Sequence, residues 1–215
     1  MHILQDLQTQ FRKKDVCLVA VSKTRSDEQL MELYQLGQRI FGENRVQELV
    51  GKYERLPKDI KWHLIGHLQT NKVKQIAPFI DLIHSVDSLK LLREVNKQAK
   101  NNDRVIKVLL QMHIAEEEAK YGLTETDLHP ILESISDGEL TNIKVSGLMG
   151  MATFTSEKLK IREEFSSLKN LFEKLKSNKV MDEHFSILSM GMSGDYEIAI
   201  AEGSNMVRIG SLLFK

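Results

Sequence analysis

Lys23 stands at the end of an unbroken apolar run, Val16-Cys17-Leu18-Val19-Ala20-Val21, followed by Ser22. A short run this rich in β-branched residues reads as a strand buried on both faces. A lysine at the carboxyl end of such a strand sits where α/β proteins collect their chemistry. A partly desolvated ammonium there holds its proton less tightly and can attack a carbonyl to form a Schiff base. Taken alone, the stretch reads first as a snorkelling lysine at a strand end. A second group lies near the carboxyl terminus. Ser189-Met190-Gly191-Met192-Ser193-Gly194-Asp195 is a small-residue loop entering a short helix, and Arg208-Ile209-Gly210-Ser211 follows. Glycines let backbone N–H groups approach an oxyanion, and a helix start favours negative charge. The spacing matches neither a P-loop nor a dinucleotide fingerprint, and taken alone the loop is an ordinary glycine-serine turn. Together the two groups offer a carbonyl-seeking amine and an anion cradle. An aldehyde that carries a phosphate satisfies both, and pyridoxal 5′-phosphate (PLP) is the natural candidate.

Eight strands are expected to position these groups: Val16 to Lys23, Arg39 to Asn44, Lys61 to Gly66, Asp81 to Val86, Val105 to Met112, Ile143 to Met149, Phe185 to Met190 and Met206 to Phe214. Helical patterns alternate with them. Ser26 or Asp27 caps the first of these helices. The helix after the fifth strand is expected to begin near Thr126 or Asp127, which keeps Pro130 in its first turn. The longest helix carries Ile161, Phe165, Leu168, Phe172 and Leu175 at helical spacing, and Gly203 closes a short one over Tyr196 to Ala201. Such alternation implies parallel strands joined by right-handed crossovers, and eight units close into an α/β fold of the (β/α)8 barrel type; the alternative is an open doubly wound sheet. An extra amphipathic helix precedes the barrel, with Ile3, Leu4, Leu7 and Phe11 on one face. In a barrel all eight carboxyl strand ends meet at one mouth. Those ends bring Lys23; Gly42, Glu43 and Asn44; Gly66 and His67; Ser85 and Asp87; His113; Met149 and Met151; Ser189, Gly191, Ser193 and Gly194; and Arg208, Gly210 and Ser211.

The 215 residues suit one domain, 1–215, and 30 basic against 30 acidic residues leave no basic excess for nucleic acid. Cys17 is the single cysteine and cannot form an intrachain disulfide. No signal peptide and no bilayer-length apolar run is visible, so a soluble cytoplasmic protein is expected. His63 and His67 are four apart but fall on a strand and its end without the glutamate of a zinc helix motif, so no metal is assigned. Lys52, Lys58, Lys72 and Lys74 read as a solvated face, and the mouth methionines as adaptable packing.

Six motifs carry a resemblance that runs from the first helix to the last residue. AVSKT (20–24), FGENRVQE (41–48), WHLIGHLQTNKVK (62–74), HSVDS (84–88), LSMGMSGDYEIAI (188–200) and VRIGSLLF (207–214) are similar in kind and order to the YggS/PROSC family. These are pyridoxal phosphate homeostasis proteins related to the N-terminal barrel of alanine racemase. The resemblance implies a fold-type III barrel with PLP as a Schiff base on Lys23. It implies Asn44 beside the cofactor ring, Ser189 with the Gly210 and Ser211 backbone as phosphate clamp, and Arg208 facing the pyridine nitrogen. A guanidinium there disfavours protonation of the ring nitrogen and weakens the electron sink that carbanion chemistry needs. Alanine racemase adds a second domain that brings a tyrosine base to a partner's site. This chain ends one residue after the last strand, and none of Tyr34, Tyr53, Tyr121 and Tyr196 claims that role. Intracellular PLP homeostasis, by buffering or delivery to PLP-dependent apo-enzymes, is therefore expected, with no catalytic residue assigned. The alternative is an amino-acid racemase of modest activity, and a Schiff-base aldolase is a remote third. Without the racemase partner domain a monomer is expected. His113, Tyr121 and Lys215 depart from residues frequent in the family, which touches the rim of the site rather than the lysine.

Overall fold

The computed structural model describes residues 3–116, 121–177 and 180–214, so Lys215 lies outside the described residues. Eight parallel strands pair in sequence order and β8 returns to β1, closing the barrel. They are β1 (Cys17–Val21), β2 (Ile40–Glu43), β3 (Lys61–Leu64), β4 (Leu82–Val86), β5 (Ile106–Gln111), β6 (Ile143–Met149), β7 (Ile187–Ser189) and β8 (Met206–Ile209). The helices are α1 (Ile3–Arg12), α2 (Asp27–Gln35), α3 (Val46–Arg55), α4 (Val73–Ile76), α5 (Leu89–Asn101), α6 (Glu125–Ser136), α7 (Lys158–Lys176) and α8 (Tyr196–Ala201). A 3-10 turn over Thr70–Lys72 leads into α4. This is the (β/α)8 barrel with one helix ahead of it, and an open sheet is excluded.

Local chemistry fixes several boundaries. Ser26 caps α2 through a capping box with Gln29. Thr124 does the same for α6 with Asp127. That box starts α6 at Glu125, so Pro130 falls at the sixth helical position rather than in the first turn, and one backbone hydrogen bond is given up there. Gly203, at φ +94°, follows α8 as expected of a helix stop. In α1, Leu4, Leu7 and Phe11 are buried, but Ile3 turns outward at the helix start.

Every strand but β6 is shorter than expected, and β8 and β7 show why. β8 stops at Ile209 because the chain turns at Gly210, whose carbonyl accepts from the Leu213 N–H at 2.9 Å; Leu213 and Phe214 are then buried off the sheet. β7 keeps three residues and meets β8 through one pair, Ser189 with Met206. Side chains brace this thin seam. The Ser204 hydroxyl donates to the Met190 carbonyl at 2.7 Å. Asn205 Oδ1 accepts from the Leu188 N–H at 2.8 Å, and Asn205 Nδ2 donates to the Ser186 carbonyl at 2.7 Å.

The core has two parts. Val19, Leu82, Leu109, Met149 and Met206 fill the barrel interior. The larger part lies between strands and helices, where α7 buries its whole predicted stripe and Phe172 stacks on Phe185 at 5.1 Å. Each fully buried aliphatic or aromatic side chain contributes roughly 1.5–3 kcal/mol, which holds the mouth loops on a rigid base. Among the described residues, no helix is long and apolar enough to cross a membrane.

Candidate functional site

Lys23 projects at the carboxyl mouth of the barrel, two residues beyond β1, and its side chain is exposed rather than partly desolvated. Its backbone is held on both sides. Ser22 is buried, its N–H donates to the Gly42 carbonyl at 3.0 Å, and its hydroxyl donates to Glu43 Oε1 at 2.6 Å. The ammonium of Lys52 donates to the Ser22 carbonyl at 2.7 Å, to Glu43 Oε1 at 2.8 Å and to Glu48 Oε1 at 2.7 Å. Glu48 Oε1 in turn accepts the Thr24 N–H at 2.6 Å. Thr24 has φ +62°, a left-handed conformation that costs a β-branched residue about 1–2 kcal/mol. The carboxylate holds it there. Lys52 is 3% exposed and Glu43 0%, which overturns the reading of Lys52 as part of a solvated face. Burial pushes the Glu43 carboxyl up against the opposing pull of Lys52 and Ser22.

Asn44 follows β2 and is half-buried at the same mouth. Gly66 lies against it. A Cβ at Gly66 would sit 2.4 Å from the Asn44 carbonyl oxygen and 2.7 Å from its Cα, so only glycine lets the two loops approach this closely. His67 is exposed, pairs through Nδ1 with Asp87 Oδ2 at 3.1 Å, and stacks on Tyr121 with ring centroids 4.1 Å apart. This stack ties together the loops after β3, β4 and β5. Tyr121 therefore stands at the rim, where the resemblance implied it. Tyr34 pairs with Asp59, Tyr53 stacks on Phe79, and Tyr196 meets Phe11 edge-on. His113 is half-buried beside Tyr121.

Arg208 points into the barrel from β8 and is buried. Its Nη1 donates to the Ser189 carbonyl at 2.9 Å and to the Ser189 hydroxyl at 2.7 Å, and its Nη2 donates to the Gly150 carbonyl at 3.0 Å. Its backbone N–H donates to Gly191, which adopts φ +97° with Ala199 and Tyr196 packed where a Cβ would go. Burial pushes the guanidinium down to about 10, with Asp195 pulling the other way, so it stays charged near neutrality. Ser189 is fully enclosed, so its hydroxyl lies beneath the mouth instead of lining it. The hydroxyl next to the Gly210 amide is that of Ser193, which accepts the Gly210 N–H at 3.3 Å. Ser193 is half-buried and Ser211 exposed.

Beneath Ser189 a polar line crosses the barrel interior. His84 Nδ1 lies 3.1 Å from Ser189 Oγ, His84 Nε2 lies 3.0 Å from His63 Nδ1, and His63 Nε2 lies 3.4 Å from Asp81 Oδ2. His63 and His67 thus belong to different surroundings. Burial lowers His84 well below the ordinary imidazole range, helped by His63 and Arg208. Burial also lowers His63, against Asp81 and with Lys107 and Lys61. Both imidazoles stay neutral in the folded chain where the unfolded chain already takes up protons, near pH 6.5 and below. Stability therefore falls as pH drops below about 6.5, by up to about 1.4 kcal/mol per pH unit for each histidine. Glu43, with its raised carboxyl, acts in the opposite sense and only nearer the carboxylate range. Urea midpoints at pH 7.5 and 5.5 check this: a clearly lower midpoint at pH 5.5 is expected, and equal midpoints would contradict it.

Lys23, Asn44, Arg208, Gly210 and Ser211 meet at one end of the barrel, as placed from sequence, with Ser189 under them. The Lys52–Glu43–Glu48 cluster and the histidine line were not read from sequence. The period-two alternation that turns His63 and His84 inward from neighbouring strands was the available signal. The mouth offers a primary amine, an amide and two hydroxyls for an anion, and a buried cation supported by carbonyl oxygens. This suits a phosphorylated aldehyde.

A family model described as "Alanine racemase, N-terminal domain" matches residues 2–215. The chain is 42% identical over 199 residues to the pyridoxal phosphate homeostasis protein of Aquifex aeolicus, covering 92% of this chain and 85% of that one. It is similar to the PipY protein of Synechococcus elongatus PCC7942 solved with PLP bound, with a TM-score of 0.87, 33% identity and coverage of 99% and 100%. Alanine racemase from Streptomyces coelicolor shares the fold, with a TM-score of 0.73 at 14% identity over 94% of this chain and 55% of that one.

Proposed function

The chain belongs to the alanine racemase N-terminal domain family, and from that premise we propose that it binds PLP covalently through Lys23 and serves PLP homeostasis, buffering or delivering the cofactor rather than turning over a substrate. The observation that carries this reading is a lysine pinned on both flanks by a buried ion cluster, at the same mouth as a buried arginine and the Gly210 amide with its Ser193 hydroxyl partner. The residues fit the group. PLP brings an aldehyde that condenses with a primary amine, releasing water, and a phosphate that wants amide and hydroxyl donors. Lys23 supplies the amine. The Gly210 amide with the Ser193 and Ser211 hydroxyls takes the phosphate, and Asn44 lies beside the ring. Ser189 serves from below, by holding Arg208.

Arg208 decides what the site does poorly. It donates hydrogen bonds only, so it meets a ring nitrogen that is unprotonated. An unprotonated ring draws electrons less strongly, which favours holding the cofactor over carbanion chemistry. Tyr121 at the rim keeps a modest racemase as the second reading, because it is the one described tyrosine at the mouth.

Transfer decides between them. Protein loaded with PLP and freed of excess is mixed with an apo-form PLP enzyme, and recovery of that enzyme's activity is followed. In parallel, α-proton exchange of alanine in deuterated water is followed by NMR. Delivery without Lys23-dependent exchange is expected, whereas exchange at several turnovers per second would replace the homeostasis reading with the enzyme. The same reading places the protein in the cytoplasm among its clients, as a monomer that light scattering would register at the mass of one chain.

A further inference from the structure

We propose that a one-way hydrogen-bond chain runs through the barrel, Arg208 to Ser189 to His84 to His63 to Asp81, and that His84 and His63 are positioning residues for Arg208. The two ends can each play only one part. A guanidinium donates and never accepts; a carboxylate accepts and never donates. Between them stand three groups that can turn either way, a hydroxyl and two neutral imidazoles.

Start at the mouth. Ser189 Oγ accepts from Arg208 Nη1 at 2.7 Å. Its own proton then points to His84 Nδ1 at 3.1 Å. An accepting Nδ1 leaves the proton of a neutral imidazole on Nε2, which donates to His63 Nδ1 at 3.0 Å. The same logic puts the His63 proton on Nε2, facing Asp81 Oδ2 at 3.4 Å. The reverse polarity fails at the far end, where His63 would aim a lone pair at the Asp81 carboxylate. It fails at the near end too, where Ser189 Oγ would accept twice and leave its proton without this acceptor in a fully buried position. One arrangement of protons satisfies every link.

The chain spans the barrel from the mouth to the opposite rim, where Asp81 precedes β4 and is partly exposed. It gives Ser189 a fixed orientation, and Ser189 fixes the fork of Arg208 through both its carbonyl and its hydroxyl. The interior histidines thereby set the direction of the charge that the mouth presents. This rests on the PLP reading only for what Arg208 faces; the protonation pattern belongs to the chain itself.

Long-range proton–nitrogen correlation of the full nitrogen-15-labelled chain without PLP tests the pattern. Both His63 and His84 should show a pyridine-type Nδ1 and a pyrrole-type Nε2. A protonated Nδ1 on either would overturn the chain. The positioning role is tested by His84→Phe, which keeps a ring and removes both links. PLP affinity, read from the absorbance of the bound cofactor, should fall about tenfold, the scale of one hydrogen bond to a charged group. The pH profile of that absorbance should also move, whereas Asp81→Asn, which still accepts, should leave both near wild type. Unchanged affinity and profile in a folded His84→Phe protein would remove the role. If that variant fails to fold, Ser189→Ala breaks the same line and is read by the same two signals. A wild-type chain that never acquires the absorbance would instead sink the PLP reading and leave the protonation pattern standing.

Discussion

Lys23→Ala removes the visible absorbance that PLP gives with the protein, and the affinity for PLP falls about 100-fold, or ~2.8 kcal/mol. On the proposed reading, the amide of Gly210, the hydroxyls of Ser193 and Ser211, and Arg208 would remain to hold the phosphate and ring. The covalent link is what is lost. Lys23 is exposed and touches none of the buried clusters, so the variant should melt within a degree or two of the parent. That separates a local loss from a folding defect. Borohydride reduction followed by peptide mass mapping is the direct check. The adduct should appear on the peptide containing Lys23 in the parent and nowhere in the variant. An adduct that persists on another lysine would move the binding site.

The largest stability effect is expected at Lys52. Lys52→Met keeps the length of the side chain and removes the cation that Glu43, Glu48 and the Ser22 carbonyl share. Glu43 is then left as a buried carboxyl whose second oxygen already lacks a hydrogen-bond partner. Breaking a buried pair from one side costs about 3–5 kcal/mol, or about 10 °C in Tm for a chain of this size. Arg55→Ala provides the contrast. Arg55 also pairs with a carboxylate, Asp27, but its side chain is 58% exposed, and such pairs contribute about 1 kcal/mol or less. Thermal melts of the two variants side by side decide the matter. A Lys52→Met loss no larger than that of Arg55→Ala would mean that the cluster does not hold the site. The same substitution frees the Thr24 N–H partner from its ammonium, so PLP binding should weaken as well, by less than in Lys23→Ala.

The barrel was legible because its signal is repetitive. Eight apolar runs alternate with helical patterns, and each run ends in a polar cluster that only a shared mouth makes sense of. The placement of Lys23, Asn44 and Gly210 at the mouth was legible for the same reason, since each follows a strand. What sequence spacing does not carry is which distant groups meet. Lys52 sits on a helix among charged neighbours and looks solvated. It is buried because Glu43, on the preceding strand, and Glu48, one helical turn earlier, close over it. The resemblance implied Ser189 as part of the phosphate clamp. The inward alternation of β7 instead turns its hydroxyl down onto Arg208 and His84. The ends of β8 and the start of α6 were displaced by local geometry, a turn at Gly210 and a capping box at Thr124, each of which outweighs the hydrophobic pattern around it.

Closure of the sheet limits how this protein can meet others. Among the described residues every strand has a neighbour on both sides, so none of these strands leaves a row of unpaired amides and carbonyls for another chain to extend. Recognition by strand addition, a recurring way an extended peptide is captured, finds no open edge on these eight strands. On the proposed delivery reading, an enzyme that receives the cofactor from this barrel would instead read side chains on the loops and helices. The specificity of such a handover would then be free to vary loop by loop while the lysine and its frame stay unchanged.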